Sequence, residues 1–195
     1  MKTVFFDIDT QIDFVYPAGA LYVPGAERIV PVIAELNRRA PLVISTMDAH
    51  SEDDPEFQIY PHHCVAGTTG QQKPSITLRD KRSTIPARAE GVQQLILEKQ
   101  KLDCFTNLNL RPLLAELNAD RYVVYGVVTE ICVRFAAFGL LKTGKRVELV
   151  TDAVMALDEG AAKQMVADFS AEGGRLTTSQ AVLAEKVLPF VTLFR

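Results

Sequence analysis

The chain alternates between short apolar runs and longer segments with helical spacing. Runs rich in Val, Ile, Phe and Tyr predict strands at Thr3–Ile8, residues 42–46, Arg121–Val127 and residues 146–151. Weaker strand signals lie at residues 95–97 and 190–194. Between the strands, apolar residues recur every three or four positions and predict helices at residues 25–39, 110–118, 131–143 and 159–172.

The predicted strands are apolar along their whole length, which is typical of a parallel sheet covered by helices on both faces. We therefore predict an α/β fold, a single three-layer α/β/α sandwich around a mostly parallel sheet of about six strands. Residues 1–195 are expected to form one domain. A long insertion at about residues 48–88 interrupts the alternation and contains all three histidines, and loops of that length are often functional.

Composition excludes several classes of partner. The 195 residues are 48% hydrophobic, and their 21 basic and 24 acidic side chains leave a formal net charge of −3. No basic cluster suggests a nucleic-acid surface, and no window has the apolar length of a membrane span or a signal peptide. The three cysteines show no paired spacing that would indicate disulfides. We expect a cytoplasmic protein that binds neither nucleic acid nor membranes.

Reactive side chains follow several predicted strands, and in α/β sheets ligands bind at the carboxyl ends of the strands. Cys132 lies at a predicted helix start, where free N–H groups and a partial positive charge favour a thiolate. Asp9 could exchange a proton with it, and Lys99 could stabilise negative charge. Ordinary interpretations remain open: a packing cysteine, a turn aspartate, and a solvated Lys99 with Lys101 as a rival.

A second group of candidate residues predicts a metal site. Asp48, His50, Glu56 and His63 offer carboxylate and imidazole ligands, which suit one divalent ion, zinc first, with iron or manganese as alternatives. Glu56 is the least certain ligand, because other eligible residues lie nearby: Glu52, Asp53, Asp54 and His62. The alternative interpretation is a polar surface loop with scattered histidines.

Several ordered motifs point to a known family. They are DTQIDF at residues 9–14, STMDAH at 45–50, PHHCVAGTTG at 61–70, EKQKLDCF at 98–105 and GVVTEICV at 126–133. Together they resemble the cysteine hydrolases of the isochorismatase-like superfamily, and within it the nicotinamidases, also called pyrazinamidases. The resemblance covers most of the chain from residue 3 to about residue 155 and implies the Rossmann-like fold of that superfamily.

The resemblance implies a role for each candidate residue. It makes Cys132 the nucleophile, Asp9 the general acid and base, and Lys99 their electrostatic partner, which selects Lys99 over Lys101. It also implies a cis peptide bond between Val127 and Val128, which would turn the Val128 and Cys132 amides into an oxyanion hole.

The resemblance also implies a metal and substrate site. Asp48, His50 and His63 correspond to metal ligands, and Glu56 takes a position where many members have histidine and some have glutamate. Phe14 and Tyr60 would form the two aromatic walls of the substrate slot, although nicotinamidases usually have tryptophan at the second position. The segment from Gly70 to residue 88 matches no family motif.

Retained metal ligands favour a pyridine carboxamide, because relatives that act on isochorismate or carbamoyl compounds generally lack them. The expected reaction converts nicotinamide to nicotinate and ammonia through a cysteine thioester. The alternatives are a related hydrolase of another small amide, carbamoyl or ureido compound, and a noncatalytic member of the fold. The expected partner is a small-molecule amide, and superfamily relatives are commonly homo-oligomers.

Overall fold

Seven parallel strands form one sheet in the part of the chain that the computed structural model describes, residues 1–84 and 92–185. In chain order they are β1 (Thr3–Ile8), β2 (Val43–Asp48), β3 (Arg82–Ser83), β4 (Gln94–Lys99), β5 (Arg121–Val127), β6 (Arg146–Met155) and β7 (Arg175–Thr177). Their order across the sheet is β3, β4, β2, β1, β5, β6, β7, and every pair is parallel. The predicted α/β class is confirmed.

Helices connect most of the strands. In chain order they are α1 (Ile12–Val15), α2 (Val30–Arg39), α3 (Leu110–Leu117), α4 (Arg134–Leu141), α5 (Glu159–Ala171) and α6 (Ser179–Ala184). Single 3₁₀ turns lie at Ala26–Arg28, Pro55–Gln58, Ser75–Thr77 and Cys104–Thr106, and a π-helical turn lies at Thr129–Val133. Among the described residues, no helix combines the length and apolar character needed to cross a lipid bilayer.

The structure adjusts several predicted elements. The sheet has seven strands in its described part, because the short edge strands β3 and β7 carry too few apolar residues to be detected from the sequence. The strand predicted at residues 190–194 lies outside the described residues. The helix predicted at residues 25–39 begins as a 3₁₀ turn and becomes α2 only near Pro31, which lacks a backbone N–H and suits a first helical turn.

Each face of the sheet packs against its own set of helices. Phe6 and Val124 face a core formed with α3, α4 and α5, and this core includes Cys132. Phe5 and Val123 face the opposite core, formed with α1, α2 and α6. Adjacent residues on one strand therefore enter different cores, which explains why the strands are apolar along their whole length.

The end of β5 approaches its neighbour β1 very closely. Gly126 has a φ of 119°, and a side chain there would lie 2.1 Å from the carbonyl oxygen of Ile8. Only glycine fits this position without displacing β1. The pairing of β5 with β6 also shifts register between Val124 and Gly126. These features bring the segment that carries Cys132 next to the segment that carries Asp9.

Candidate active site

Four strand ends bring the predicted catalytic residues together at one edge of the sheet. Asp9 follows β1, Asp48 ends β2, Lys99 ends β4, and Cys132 lies in the π-helical turn after β5. Asp48 and Lys99 are direct partners in the β2 and β4 pairing. All four residues are buried. By contrast, Lys101 is exposed, so the geometry agrees with Lys99 as the charged member of the cluster.

Lys99 is the centre of this cluster. Its Nζ lies 2.9 Å from Asp9 Oδ2, donates a hydrogen bond to Asp48 Oδ1, and lies 3.9 Å from Cys132 Sγ. Burial lowers the pKa of Lys99, but the nearby anionic groups, Asp9 first, outweigh that effect and raise it well above its ordinary value. The ammonium therefore stays charged beside the thiol.

Asp9 is held by backbone and side-chain contacts with β2. The Thr46 hydroxyl donates to Asp9 Oδ1 at 2.7 Å and accepts from the Asp9 N–H at 3.1 Å. Asp9 Oδ2 has no hydrogen-bond partner among the described residues, although Lys99 lies within ion-pair distance. One oxygen is thus fixed, and the other remains able to accept a proton in the cluster.

The Cys132 thiol differs from the sequence expectation. We expected the helix start to favour a thiolate, but burial and the Asp9 and Asp48 carboxylates raise the pKa of Cys132 well above its ordinary value, with Lys99 opposing them. Side-chain atoms of Asp9, Asp48 and Cys132 all lie within 4.8 Å of one another. The resting group is therefore a thiol, and it needs a nearby base before it can attack.

The peptide bond between Val127 and Val128 is cis, as the resemblance implied. The Val128 carbonyl accepts the N–H groups of Ile131 and Val133, at 3.1 Å each, and so closes the π-helical turn. This turn places Cys132 directly before α4. The oxyanion-hole role of the Val128 and Cys132 amides stays a prediction.

Asp48 of this cluster and two further buried residues, His50 and His63, could hold a metal ion. Ligand atoms of Asp48, His50 and His63 lie within 4.8 Å of one another. Both rings have Nδ1 engaged: in His50 with Asp54 Oδ2 at 3.0 Å, and in His63 with the Pro61 carbonyl at 2.7 Å. A ring that donates through Nδ1 presents an unprotonated Nε2, which is the form that binds metals.

Further observations agree with a metal at this position. His50 Nε2 is buried and has no hydrogen-bond partner among the described residues. Burial, the largest effect, lowers the pKa of His63 and favours the neutral ring. By contrast, burial raises the pKa of Asp48 to about 6 and so disfavours its charged form, although Lys99 opposes this effect. Two imidazoles and a carboxylate with unused donor atoms fit a first-row divalent cation.

Glu56 lies within reach of both histidines. Its Oε1 is 3.9 Å from His63 Nε2, and its carboxylate also groups with His50 and Asp54. The other candidates are placed differently, because Glu52, Asp53 and His62 are exposed. Asp54, which the sequence offered only as an alternative ligand, instead contacts the far nitrogen of the His50 ring.

A narrow cavity opens onto both groups of residues. Its volume is about 20 Å³, and residues of both groups line it. Phe14 and Tyr60 line it, with ring centroids 5.3 Å and 6.4 Å from that of His63, and their role as walls of a substrate slot stays a prediction. The remaining apolar lining was not predicted from sequence: Leu21, Leu102, Val127, Ile131 and Leu157.

Comparison with known proteins identifies the family of this chain. The family model for the isochorismatase domain matches residues 3–181. The chain belongs to the isochorismatase family. The chain is 24% identical to nicotinamidase from Acinetobacter baylyi over 198 residues, which covers 90% of this chain and 92% of that protein.

Solved structures of similar proteins share the fold. Pyrazinamidase of Pyrococcus horikoshii in complex with zinc has a TM-score of 0.80 and 26% identity, covering 91% of this chain and 99% of that chain. PnC1 from L. infantum in complex with nicotinate has a TM-score of 0.79 and 27% identity, covering 92% and 94% respectively. The chain is thus a hydrolase of the isochorismatase family, distantly related to nicotinamidases.

Within this isochorismatase-family site, the residues missed by sequence reasoning have no common pattern. Leu21 and Leu102 lie in loops, and Leu157 follows β6. Glu130 Oε1 accepts the N–H groups of Leu157 and Asp158, at 2.9 Å and 2.8 Å, which fixes this part of the wall. Glu130 is inside the GVVTEICV motif, so its position beside the nucleophile was the available signal.

Proposed function

We propose that this hydrolase converts nicotinamide to nicotinate and ammonia. The observation that carries the proposal is that one cavity is lined by Cys132 together with Asp48 and His63 of the candidate metal group. A nucleophile and a group able to orient a ring nitrogen are both needed for a pyridine carboxamide. The similarity to a nicotinamidase, a zinc-bound pyrazinamidase and a protein solved with nicotinate supports this choice.

The first half of the reaction acylates Cys132. Asp9 accepts the thiol proton as the sulfur adds to the amide carbon, and Lys99 stabilises the negative charge that develops between them. The amides of Val128 and Cys132 donate hydrogen bonds to the oxyanion. The tetrahedral adduct then collapses, its C–N bond breaks, and Asp9 returns the proton to the nitrogen, so that ammonia leaves and a thioester remains.

The second half hydrolyses the thioester. Asp9, again a carboxylate, accepts a proton from water as the water oxygen adds to the acyl carbon. The C–S bond breaks in the new adduct, and the proton held by Asp9 returns to the Cys132 sulfur. The product is nicotinic acid, which loses its remaining proton to solvent and leaves as nicotinate, and the enzyme regains its thiol and its carboxylate. The overall change consumes one water molecule and one amide.

Asp48, His50 and His63, with Glu56 as a fourth ligand, would hold one divalent ion, which we propose to be zinc. When bound, the ion supplies a Lewis-acidic position for the pyridine nitrogen and so orients the ring. Phe14 and Tyr60 would contact the two faces of that ring. The ring of Tyr60 offers a smaller face than the tryptophan usual in nicotinamidases. This difference favours a second candidate function, hydrolysis of another small amide or a carbamoyl compound.

Ammonia release from a panel of small amides tests these assignments. The panel contains nicotinamide, pyrazinamide, benzamide, and a carbamoyl and a ureido compound, each offered to the wild type and to Cys132→Ala. We expect release from nicotinamide that Cys132→Ala abolishes, with benzamide poorer because it lacks the ring nitrogen. Turnover of only the carbamoyl or ureido compound would favour the second candidate. Inactivity of the wild type across the panel would exclude both.

A further inference from the structure

A second buried ion pair, between Asp7 and Lys73, lies next to the catalytic cluster. Asp7 belongs to β1, and Lys73 lies on the loop segment that matched no family motif. Lys73 Nζ is 3.4 Å from Asp7 Oδ2, and the two side chains are 1% and 0% exposed. Neither residue is among those lining the cavity. Removing two charges from water is unfavourable unless other contacts compensate, so the pair requires a specific explanation.

Asp7 is fixed by neutral donors from three segments, which are β2, α2 and the loop that follows β1. Its Oδ1 accepts the Thr10 hydroxyl at 2.5 Å, and its Oδ2 accepts the Ser45 hydroxyl at 3.0 Å and the Asn37 amide at 3.2 Å. Asn37 in turn accepts the Tyr125 hydroxyl at 2.6 Å. A buried network with its members satisfied holds one geometry, and it gives Lys73 a rigid anchor.

The other contacts of Lys73 lead directly to Asp9. Its Nζ donates to the carbonyl of Thr46 at 3.1 Å and to the carbonyl of Thr10 at 3.4 Å. Thr10 follows Asp9 in the chain, and Thr46 supplies the hydroxyl that contacts the Asp9 carboxylate. With Asp7, these contacts use the three N–H donors of the ammonium.

The Asp9 backbone depends on such support. Asp9 has a φ of 43°, in the left-handed region that residues other than glycine rarely adopt. The Lys73 ammonium binds one carbonyl just after this turn and one on the neighbouring strand. A charged donor to two carbonyls forms stronger hydrogen bonds than a neutral one, so it can hold the turn in this conformation.

We propose that Lys73, anchored by Asp7, is a positioning residue that holds Asp9 within proton-transfer distance of Cys132. The proposal rests on the proposed function for the role of Asp9 as the base. Lys73 touches neither sulfur nor cavity and acts through the Thr10 and Thr46 carbonyls. Losing it lets the strand-end turn relax, and a displacement of about 1 Å at a catalytic group can reduce turnover about a hundredfold.

Two variants and one control test the role of Lys73. Lys73→Met removes the ammonium, and Asp7→Asn with Lys73→Met removes both charges while it keeps a hydrogen-bonding side chain at residue 7. If the single variant does not fold, the double variant carries the test because it contains no unpaired buried charge. Arg121→Met is the matched control, since Arg121 also belongs to a buried ion pair, with Glu148.

Three measurements are made on folded protein, as established by circular dichroism. They are kcat and KM for the best amide of the panel, the iodoacetamide alkylation rate of Cys132 followed by peptide mapping, and metal content. We expect kcat to fall at least about tenfold in both Lys73 variants, with KM and metal content within about twofold of the wild type. The alkylation rate should rise, because a displaced Asp9 carboxylate no longer disfavours the Cys132 thiolate that iodoacetamide attacks. Arg121→Met should change none of these quantities.

The outcomes separate this proposal from the proposed function. Wild-type kcat and alkylation rates in the folded double variant would overturn the positioning role, as would an equal fall in kcat in Arg121→Met. Alkylation requires no substrate. If the wild type releases no ammonia from any amide of the panel but the Lys73 variants still alkylate faster, the amide assignment is refuted and Lys73 is still supported as the residue that positions Asp9.

Discussion

The two ends of the sheet both bury charged side chains, and at the carboxyl end these side chains lie beside a nucleophile and a cavity. At the carboxyl end, Lys99 lies between Asp9 and Asp48, beside Cys132. At the amino end, Arg121 begins β5 and forms ion pairs with two glutamates. This Arg121 cluster consists of Arg121, Arg146, Glu148 and Glu185. None of these four residues lines the cavity beside Cys132.

The comparison shows which observations point to chemistry. Both ends bury charged groups. Each end also buries a nitrogen that has no hydrogen-bond partner among the described residues, Arg121 Nε at the amino end and His50 Nε2 at the carboxyl end. At the carboxyl end, the described residues add a thiol, an acceptor oxygen on Asp9 and an apolar cavity. Function is therefore indicated by convergence of different groups on one space, and the variants below test that distinction.

The sharpest contrast should come from Asp9→Asn. Asparagine retains the shape and the Thr46 contact but cannot accept the Cys132 proton, so we expect kcat to fall about 10²- to 10⁴-fold. Lys99 keeps Asp48 as a partner, so the variant should remain folded. Steady-state ammonia release measures kcat, and urea unfolding measures stability.

Glu148→Gln is the control for this substitution at the amino end. It removes a buried carboxylate in the same isosteric way, and Glu148 is 2% exposed against 0% for Asp9. The two ends would not differ as we argue if Glu148→Gln lowered kcat of the folded protein as much as Asp9→Asn does. A wild-type kcat in Asp9→Asn would remove the general-base assignment.

Much of this arrangement could be predicted because strand ends are readable in the sequence. Asp9, Asp48 and Lys99 each terminate an apolar run, and the parallel order places those ends on one edge. The cis bond after Val127 followed from resemblance alone. Local patterns and motif order were sufficient for the fold, and the roles of the site residues stay predictions.

The missed features depend on contacts between residues far apart in the chain. Lys73 lies 63 residues from Thr10 and 27 from Thr46, and no local pattern connects them. The protonated state of Cys132 also required burial and the positions of two carboxylates. The helix start by itself favours a thiolate, but burial acts in the opposite direction and raises the pKa of Cys132.

Asp54→Asn should have a smaller effect that is confined to the metal group. The Asp54 carboxylate accepts His50 Nδ1–H at 3.0 Å and so orients the ring toward the proposed ion. Replacing such an outer partner commonly lowers metal affinity about 10- to 100-fold. Competition with a chelator measures affinity, and kcat at saturating metal should change far less than in Asp9→Asn.

Asp53→Asn supplies the matched control, because Asp53 is the exposed neighbour of Asp54 in the same loop. We expect its metal affinity to equal that of the wild type. Equal losses in the two variants would show that loop charge, rather than the bond to His50, affects the metal. No loss in Asp54→Asn would separate His50 from the ligand set.

The smallest effect on catalysis should come from Arg121→Met, which tests the amino end directly. Methionine retains an apolar stem but leaves Glu148 with Arg146 as its remaining cation, so stability should fall by about 3 kcal/mol, the lower end for breaking a buried pair. Arg146 is 39% exposed, and Arg146→Met should therefore cost less than about 1 kcal/mol. Urea unfolding compares the two variants, and kcat per folded molecule should match the wild type in both. A reduced kcat with unchanged stability in Arg121→Met would mean that the two ends of the sheet are coupled, and that burying charge at the amino end serves the chemistry at the other.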